Sequence, residues 1–274
     1  MKYNKFNPPL KCTMTHSTCY QNTSKMEIKG VLIHSTGANN PFLKRYVQPS
    51  PEDPNYQDLM NKLGVNELKN DWNHIDIQAG LNAWIGMLNN QEITTIQTMP
   101  WDYKPWGCGS SVYGSCNNGW IQFEICEGNL IDKNYFEKVY QEACELIAYL
   151  CQEFSLDPRG FVNYAGQSVP VILCHQDSYK LGLGSNHEDV YHWFNKYGKT
   201  MQHVRNDVAK LLGLPSQELP TETPILTRIL RKNCEGDDVM ILQQKLLDLG
   251  YDLGLYGVDG DFGEDTEIAV LQFQ

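Results

Sequence analysis

Three side chains that commonly bind zinc follow apolar segments of this chain, at points where a strand is expected to end. His34 follows the apolar run Gly30–Ile33, and His175 follows the run Val169–Cys174. Asp189 lies fourteen positions after His175, beyond a glycine-rich turn. A rigid strand aims the side chain that follows it, whereas a loop admits solvent. Two histidines and one carboxylate are therefore predicted to form a catalytic zinc site with an open position for water.

A fourth candidate is Glu124, which lies in the alternating segment Trp120–Cys126. The alternation predicts a strand with one buried face and one accessible face. A carboxylate beside a zinc site can take a proton from the attacking water and deliver it to the leaving group. Glu124 is therefore a candidate general base, and the alternative is an ion-pair partner with no part in the chemistry.

The segments between these residues predict an α/β fold. Leu81–Leu88 and Ile93–Thr98 indicate a hairpin, with Asn89-Asn90 as a turn whose residues can adopt left-handed backbone angles. Apolar residues recur at helical spacing from Asn134 to Phe154. A second helical stripe comprises Met201, Val204, Val208, Leu211 and Leu212. Strands that alternate with helices predict a sheet with helices packed on its faces.

Composition divides the chain into two units. Residues 1–29 are polar and turn-rich, and we expect them to form an arm or a short edge strand. The Pro- and Thr-containing segment 214–232 predicts a linker, so residues 1–213 and 233–274 are expected to be mechanically independent. The second unit shows two helical segments at most, and its pattern stops at the end of the chain. We therefore expect a small helical domain whose core is incomplete.

Charge and hydropathy exclude several classes of protein. The net charge of −11 argues against a nucleic-acid partner, which would favour a basic surface. The chain contains no run of eighteen apolar residues, so no membrane-spanning helix is predicted. The first twenty residues lack the apolar stretch of a secretory signal. We therefore expect synthesis in the cytoplasm without a signal peptide, and no membrane insertion. The sequence does not indicate an oligomeric state.

The nine cysteines are scattered rather than arranged in metal-binding pairs. Most of them fall in strand or helix patterns, so free thiols in the core are expected. Cys108 and Cys116 flank a Gly- and Ser-containing loop and could form a disulfide, a question that the sequence leaves open.

Short motifs in a consistent order make residues 30–212 resemble the zinc-dependent N-acetylmuramoyl-L-alanine amidases. This family includes phage endolysins, bacterial wall-recycling amidases and animal peptidoglycan recognition proteins. The motifs are Ile33-His34-Ser35-Thr36-Gly37, Trp84-Ile85-Gly86, Trp106-Gly107-Cys108-Gly109, Gln122-Phe123-Glu124, Cys174-His175 and His187-Glu188-Asp189. Residues 236–273 resemble the helical peptidoglycan-binding module. With Asn7-Pro8-Pro9-Leu10 in the arm, the chain looks most similar to an endolysin from a phage or prophage of a Firmicute.

The resemblance implies a mixed central sheet flanked by helices, with zinc in a groove on its surface. It also implies hydrolysis of the amide bond between N-acetylmuramic acid and L-alanine in bacterial peptidoglycan, the expected partner. By position, the zinc ligands are His34, His175 and Asp189. Glu124 corresponds to a glutamate with which some members activate the water.

Two residues depart from the pattern of the family. His187 stands where many members carry a lysine that stabilises the oxyanion, and it is expected to take that role as a charged or a neutral donor. Asn82 stands where other members carry a catalytic tyrosine, and it is grouped here with Trp84 and Trp106 as an expected substrate-binding residue. These departures concern the groups around the reaction and leave the predicted metal site intact.

Two other functions fit the same fold. One is a peptidoglycan receptor without catalysis, whose mark would be the loss of a zinc ligand, and none is missing here. The other is a zinc peptidase that cleaves the stem peptide of peptidoglycan. The two hydrolases differ in which amide bond they cleave, so the products of digestion distinguish them.

Overall fold

A six-stranded mixed sheet forms the centre of the structure, a computed structural model that describes residues 1–215, 228–249, 251–254 and 256–274. Its strands are β1 (Leu10–Lys11), β2 (Gly30–Ser35), β3 (Ala83–Met87), β4 (Ile93–Gln97), β5 (Trp120–Ile125) and β8 (Ile172–Cys174). They are arranged in the order β1-β4-β3-β5-β2-β8, and β3 and β4 are antiparallel while the other neighbours are parallel. β6 (Phe161–Tyr164) and β7 (Gln167–Pro170) form a separate hairpin. The predicted fold class is confirmed.

Helices cover the sheet and form the C-terminal unit. They are α1 (Thr18–Asn22), α2 (Tyr56–Leu63), α3 (Lys133–Glu153), α4 (His175–Lys180), α5 (Tyr191–Phe194), α6 (Met201–Leu211), α7 (Asp237–Asp248) and α8 (Glu264–Phe273). The long helix α3 begins after Asp132, whose carboxylate accepts a hydrogen bond from the Tyr135 backbone N–H at 3.0 Å. Both predicted helical stripes are confirmed, to within one residue at the start and end of α3.

The two faces of the central sheet carry different side chains. Val31 and Ile33 of β2 belong to the main core, which also contains Phe123 of β5 and Phe136 of α3, and all four are at most 1% exposed. Each large apolar side chain buried in this way contributes about 1.5–3 kcal/mol. Because successive strand side chains alternate between faces, His34 lies on the face opposite this core. The face that carries His34 holds two smaller apolar clusters, one around Trp84 and one around Leu32 and Trp120, together with the polar side chains of the candidate site.

The predicted hairpin is confirmed as β3 and β4, but its turn differs from the expected one. The residue with a left-handed backbone is Gln91, with φ 66°, and neither Asn89 nor Asn90 has a positive φ. The Asn89 backbone N–H instead donates to Lys62 O at 2.9 Å, and the Asn90 side chain accepts from the Glu92 N–H at 3.0 Å. These bonds hold both asparagines outside the left-handed region, so that part of the prediction was wrong.

The apolar run Val169–Cys174, predicted as one strand, is divided between two sheets. β7 ends at Pro170, which has no backbone N–H, and β8 begins at Ile172. Between them, the Val171 N–H donates to Gly160 O at 3.0 Å and Val171 O accepts from the Val31 N–H at 2.8 Å. The break directs the second half of the run against β2, which places His175 beside His34.

The N-terminal arm is fixed to the main domain at both of its ends. β1 is the edge strand that the sequence suggested, paired with β4. Closer to the N-terminus, the Tyr3 hydroxyl donates to the Glu142 carboxylate of α3, which also accepts from Thr95 Oγ1 at 2.8 Å. Lys2 Nζ completes this buried cluster with an ion pair to Glu142 at 2.7 Å. The arm is therefore an integral part of the fold.

The cysteines are free thiols in the described residues. Eight of them are buried and Cys234 is partly buried, so the expectation of core thiols is confirmed. Cys108 and Cys116 are not joined, and the Cys108 thiol instead donates to Asn117 Oδ1 at 3.1 Å. Of the helices formed by the described residues, none is both long and apolar enough to span a membrane.

The C-terminal unit consists of α7, α8 and the loop between them, packed around Leu246, Leu253, Val258 and Ala269. It touches the main domain, in contrast with the independence expected from the sequence. Lys180 Nζ, at the end of α4, donates to Asp259 O at 3.2 Å. Asn195 donates to Tyr256 O and lies so close to Gly257 that a Cβ there would be 2.6 Å from the asparagine Cβ. Most of the predicted linker, residues 216–227, lies outside the described residues.

Candidate metal centre

His34, His175 and Asp189 converge on one point at the carboxyl end of the central strands. Their candidate ligand atoms all lie within 4.8 Å of one another. Asp189 Oδ2 is 3.0 Å from His34 Nδ1, and Asp189 Oδ1 is 3.3 Å from His175 Nδ1. Both histidines are only 3% exposed, and the Asp189 side chain is 11% exposed. The structure thus brings together the three residues that the sequence analysis selected, with the same ring nitrogen of each histidine facing the carboxylate.

The sheet explains why the two histidines meet although they are far apart in the chain. β2 and β8 are parallel neighbours, with Ile33 paired to Cys174. The residues that follow this pair, His34 and His175, therefore lie at the same edge of the sheet. Their rings pack edge to face with centroids 4.7 Å apart.

The segment that carries Asp189 is held against the start of α4. Asp177 accepts hydrogen bonds from the Cys174 N–H at 3.4 Å and from the Tyr191 hydroxyl at 3.0 Å. The Gln176 N–H donates to Asp189 O at 3.2 Å. The backbone of Asp189 is thus tied to the same helix that begins with His175, so the two candidate ligands keep a fixed separation.

Electrostatic interactions favour the charged form of Asp189. Burial by itself would raise the pKa of this carboxyl, but the hydrogen bonds and charges of His175 and His34 outweigh it and lower the pKa. Burial and the neighbouring His34 and His187 lower the pKa of His175, against the effect of Asp189. Burial opposes protonation of His34, but the hydrogen bond and charge of Asp189 outweigh it and raise the pKa of that imidazole. A divalent cation bound here would find an anionic carboxylate and would displace a proton from His34.

Glu124 lies directly beside this cluster. It is paired with His34 across β5 and β2, so the two side chains share a face of the sheet. Burial raises the pKa of Glu124 to about 8; the charge of His34 is the next largest effect and lowers it, while Asp189 and Glu127 raise it further. A cation held by the neighbouring ligands would favour the carboxylate form, since an opposite charge stabilises it. The position suits a group that accepts and releases a proton.

His187 is exposed and lies against a candidate ligand. Its ring stacks on His175 with centroids 4.6 Å apart and an interplanar angle of 24°. The Ser185 hydroxyl connects the two rings, at 3.1 Å from His175 Nε2 and 3.2 Å from His187 Nδ1. His187 therefore has a fixed orientation and a free edge towards solvent.

The three expected substrate-binding residues differ in their exposure. Asn82 and Trp84 are fully buried, so neither offers surface to a substrate in this structure. Asn82 donates to Pro100 O and Tyr103 O, both at 2.9 Å, and accepts from the Gln122 N–H at 3.0 Å. Asn82 is therefore a supporting residue here, and Trp84 packs against Tyr46 and Trp72 in the interior, with ring centroids 4.8 Å apart in each pair. Trp106 is half-buried and remains a candidate.

The sequence analysis gave no role to three polar residues beside the candidate ligands: Gln122, Asn117 and Ser185. Gln122 Oε1 is 2.9 Å from His34 Nε2, and Gln122 Nε2 is 2.9 Å from Asn117 Oδ1. One signal was present, because Gln122 precedes Glu124 by two positions and must share its face of the strand. Nothing in the sequence indicated Asn117 or Ser185, which reach the site from loops.

A buried ion pair fixes the short helix that follows Asp189. His192 Nε2 is 2.9 Å from Glu127 Oε1, whose side chain is 3% exposed and also accepts from the Gly37 N–H at 2.9 Å. Burial opposes protonation of His192, but the hydrogen bond and charge of Glu127 outweigh it and raise the pKa of the imidazole. The pair therefore connects the loops after β2 and β5 to α5.

We expect this pair to make stability depend on pH. An unfolded histidine has a pKa of about 6.5, so the raised pKa of folded His192 stabilises the fold fully below that pH, and the contribution is lost as the pH rises through the folded value. Relative to the wild type, His192→Gln should lower the free energy of unfolding by about 2 kcal/mol at pH 6 and by less at pH 9. Urea unfolding of both proteins at the two pH values measures this, and an equal difference at both would contradict it.

Comparison with known proteins agrees with this geometry. A family model described as N-acetylmuramoyl-L-alanine amidase matches residues 24–192, and a model described as a peptidoglycan binding domain matches residues 235–274. The first match covers more than half of the chain. The chain therefore belongs to the N-acetylmuramoyl-L-alanine amidase family.

Individual relatives are more distant. A probable N-acetylmuramoyl-L-alanine amidase of Bacillus licheniformis is 28% identical over 148 residues, which are 52% of this chain and 37% of that protein. The type VI secretion system spike protein VgrG3 of Vibrio cholerae is 43% identical over 77 residues, 28% of this chain and 7% of that protein. The chain thus matches well under half of either relative. The solved structure of the Staphylococcus aureus hydrolase AmiA is 17% identical and covers 78% of this chain and 85% of its own, with a TM-score of 0.45.

Proposed function

We propose that this protein is a zinc-dependent hydrolase that cleaves the amide bond between N-acetylmuramic acid and L-alanine in bacterial peptidoglycan. The observation that carries the proposal is the convergence of two Nδ1 atoms on one carboxylate, in a chain of the amidase family. Two imidazoles and a carboxylate suit zinc and leave a coordination position for water. His34, His175 and Asp189 are the proposed ligands.

The surrounding residues fit the steps of amide hydrolysis. Zinc, when bound, would polarise the scissile carbonyl and make the attacking water more acidic. Glu124 takes the proton of the water and transfers it to the departing amine. This role requires a residue that lies close to the metal ligands but is not itself a ligand. His187 donates a hydrogen bond to the oxygen on which negative charge develops, a contribution worth roughly 3 kcal/mol for one donor. Trp106 forms part of the wall against which the substrate lies.

The two matched regions suggest a division of labour. Residues 1–213 carry the proposed catalytic site, and residues 233–274 hold the enzyme on the cell wall, beyond a linker at 214–232. We propose that the protein is a bacteriolytic enzyme of the endolysin type, encoded by a phage or prophage, made in the cytoplasm and active at the wall. Peptidoglycan is then the partner of both units, and nucleic acid is not a partner.

The decisive experiment is mass analysis of purified peptidoglycan after digestion. The proposed reaction releases free lactyl groups on muramic acid together with new N-terminal L-alanine. New termini within the stem peptide would instead show a zinc peptidase. Binding without any cleavage, at full zinc occupancy, would show a receptor, and either result would overturn the proposal.

Deletion of the C-terminal unit should separate wall binding from catalysis. Without residues 214–274, the rate of cleavage of a small soluble muropeptide should stay within about twofold of that of the full chain. Binding to intact walls should fall by about 10²-fold or more, because the deleted protein loses the tether that raises the local substrate concentration. The contacts of Lys180 and Asn195 with this unit predict a small loss of thermal stability in the deleted protein. Kinetics on both substrates test the division, and abolished cleavage of the soluble substrate would contradict it.

A further inference from the structure

A chain of hydrogen bonds runs from the Asn117 side chain through Gln122 to His34. The backbone N–H groups of Cys108 and Gly107 point at one atom of the Asn117 amide, at 3.1 and 3.3 Å. Backbone N–H groups only donate, so the atom that they face must be the oxygen of the asparagine. The orientation of this amide is thereby set by the backbone.

Asn117 determines the orientation of the Gln122 side-chain amide. The atom of the Gln122 amide that lies 2.9 Å from Asn117 Oδ1 must donate, so it is the nitrogen. The other atom, the oxygen, then faces His34 Nε2 at 2.9 Å. An amide oxygen can only accept, and therefore Nε2 of His34 must carry a proton. The carboxylate of Asp189, 3.0 Å from Nδ1, is also only an acceptor, so the metal-free ring carries a second proton there. A bound cation would take the place of that proton, while Nε2 keeps its own.

We propose that Gln122, oriented by Asn117, is the residue that positions His34 for zinc, by holding a proton on Nε2 so that Nδ1 is the nitrogen that binds the metal. This inference rests on the proposed zinc site. Gln122 is a positioning residue, since it contacts a ligand and not the substrate. Its own backbone N–H is fixed by Asn82, which gives the buried asparagine a function in the site.

Packing prevents the amide from turning over. Gln122 is fully buried, and a Cβ on Gly107 would lie 2.2 Å from its Oε1 and 3.0 Å from His34 Nε2. Rotation of the Gln122 amide would place two oxygens opposite each other at Asn117 and two N–H groups opposite each other at His34, in a buried space where unpaired polar groups are costly. Position 107 must be glycine, because a Cβ there would collide with the Gln122 amide oxygen that faces His34.

The second histidine is held less strictly. Its outer nitrogen, His175 Nε2, faces the Ser185 hydroxyl at 3.1 Å. The single proton of this hydroxyl can be donated to Cys108 O, 3.2 Å away, to His187 Nδ1, 3.2 Å away, or to His175 itself, so the hydroxyl is compatible with either tautomer of His175. Only the His34 side of the site, among the contacts described, prescribes which nitrogen binds the metal. The structure therefore predicts that the loss of Gln122 has a specific effect on metal binding.

The test compares Gln122→Met with Gln97→Met. Gln97 is a buried glutamine of β4, 5% exposed, whose amide donates to Met99 O at 2.9 Å, and it serves as the matched control. Competition with a chromophoric chelator should show zinc affinity 10–100-fold weaker for Gln122→Met, the usual cost of losing a hydrogen-bonded support of a ligand, and within about twofold of the wild type for Gln97→Met. Equal zinc affinities of the two variants would overturn the proposal.

A second measurement does not depend on how the variant folds. Long-range ¹H–¹⁵N NMR of the zinc-loaded wild type should show His34 protonated on Nε2 and bound to the metal through Nδ1. A ring protonated on Nδ1 would overturn the proposal even if Gln122→Met cannot be purified. If the wild type binds no zinc at all, the proposed metal site fails, whereas the hydrogen bond from His34 Nε2 to Gln122 can still be detected in the metal-free protein.

Discussion

Replacing His175 with alanine should leave a folded protein that retains almost no zinc. His175 supplies one of three proposed ligands, and its Nδ1 is 3.3 Å from the carboxylate that completes the set. The loss of zinc affinity should exceed the roughly 10–100-fold cost of removing a support behind a ligand, because a coordinating atom itself is removed. Turnover should fall with the metal content.

Metal analysis after dialysis against a low zinc concentration measures this effect. The matched control is His16→Ala, because the His16 side chain is 47% exposed and contacts the exposed Glu52 and the ring of His74, away from the proposed ligands. The control should retain about one zinc per chain, and circular dichroism should show the same fold for both variants. Full zinc occupancy in folded His175→Ala would remove His175 from the ligand set.

Replacing Glu124 with glutamine should separate metal binding from chemistry. Glutamine has nearly the same size and shape but cannot accept the proton of the attacking water, so kcat on a soluble muropeptide should fall by roughly 10²–10⁴-fold. Zinc content and thermal stability should stay close to those of the wild type, because Glu124 is not a proposed ligand. Burial already favours the uncharged form of this side chain in the metal-free protein, which glutamine resembles.

The control for this experiment is Glu92→Gln, an exposed glutamate in the turn between β3 and β4. It should keep full activity, so that any loss in Glu124→Gln is attributable to the position rather than to one fewer charge. A folded Glu124→Gln protein with bound zinc and wild-type kcat would falsify the role of Glu124 as general base.

Local patterns in the sequence were sufficient for the main elements and for the positions of the candidate ligands. Apolar runs predicted β2 and the strand before His175, and a 3.6-residue period predicted α3. The ends of those strands carry His34 and His175, so the place where the candidate ligands meet could be predicted from residue type and position.

The contacts that complete the site depend on pairings between distant segments, and these could not be predicted from such patterns. His34 meets Glu124 and Gln122 because β2 pairs with β5, ninety residues later in the chain. Asn117 reaches Gln122 from a loop whose sequence shows no period. The same limit explains the error at Asn89-Asn90, where a bond to Lys62 in another segment determined the backbone.

The attachment of the arm to α3 also has a consequence for biosynthesis. Tyr3 has its buried partner in Glu142, 139 positions further along the chain. At a translation rate of about 5–20 residues per second, the ribosome needs roughly 10 s to make the intervening segment, and more before α3 leaves the exit tunnel. During that time the arm and β4 lack part of their partners, and unpaired strand edges are prone to association. A nascent chain halted before residue 142 should therefore expose Tyr3 to solvent and to chaperones, whereas one extended well beyond α3 should protect it.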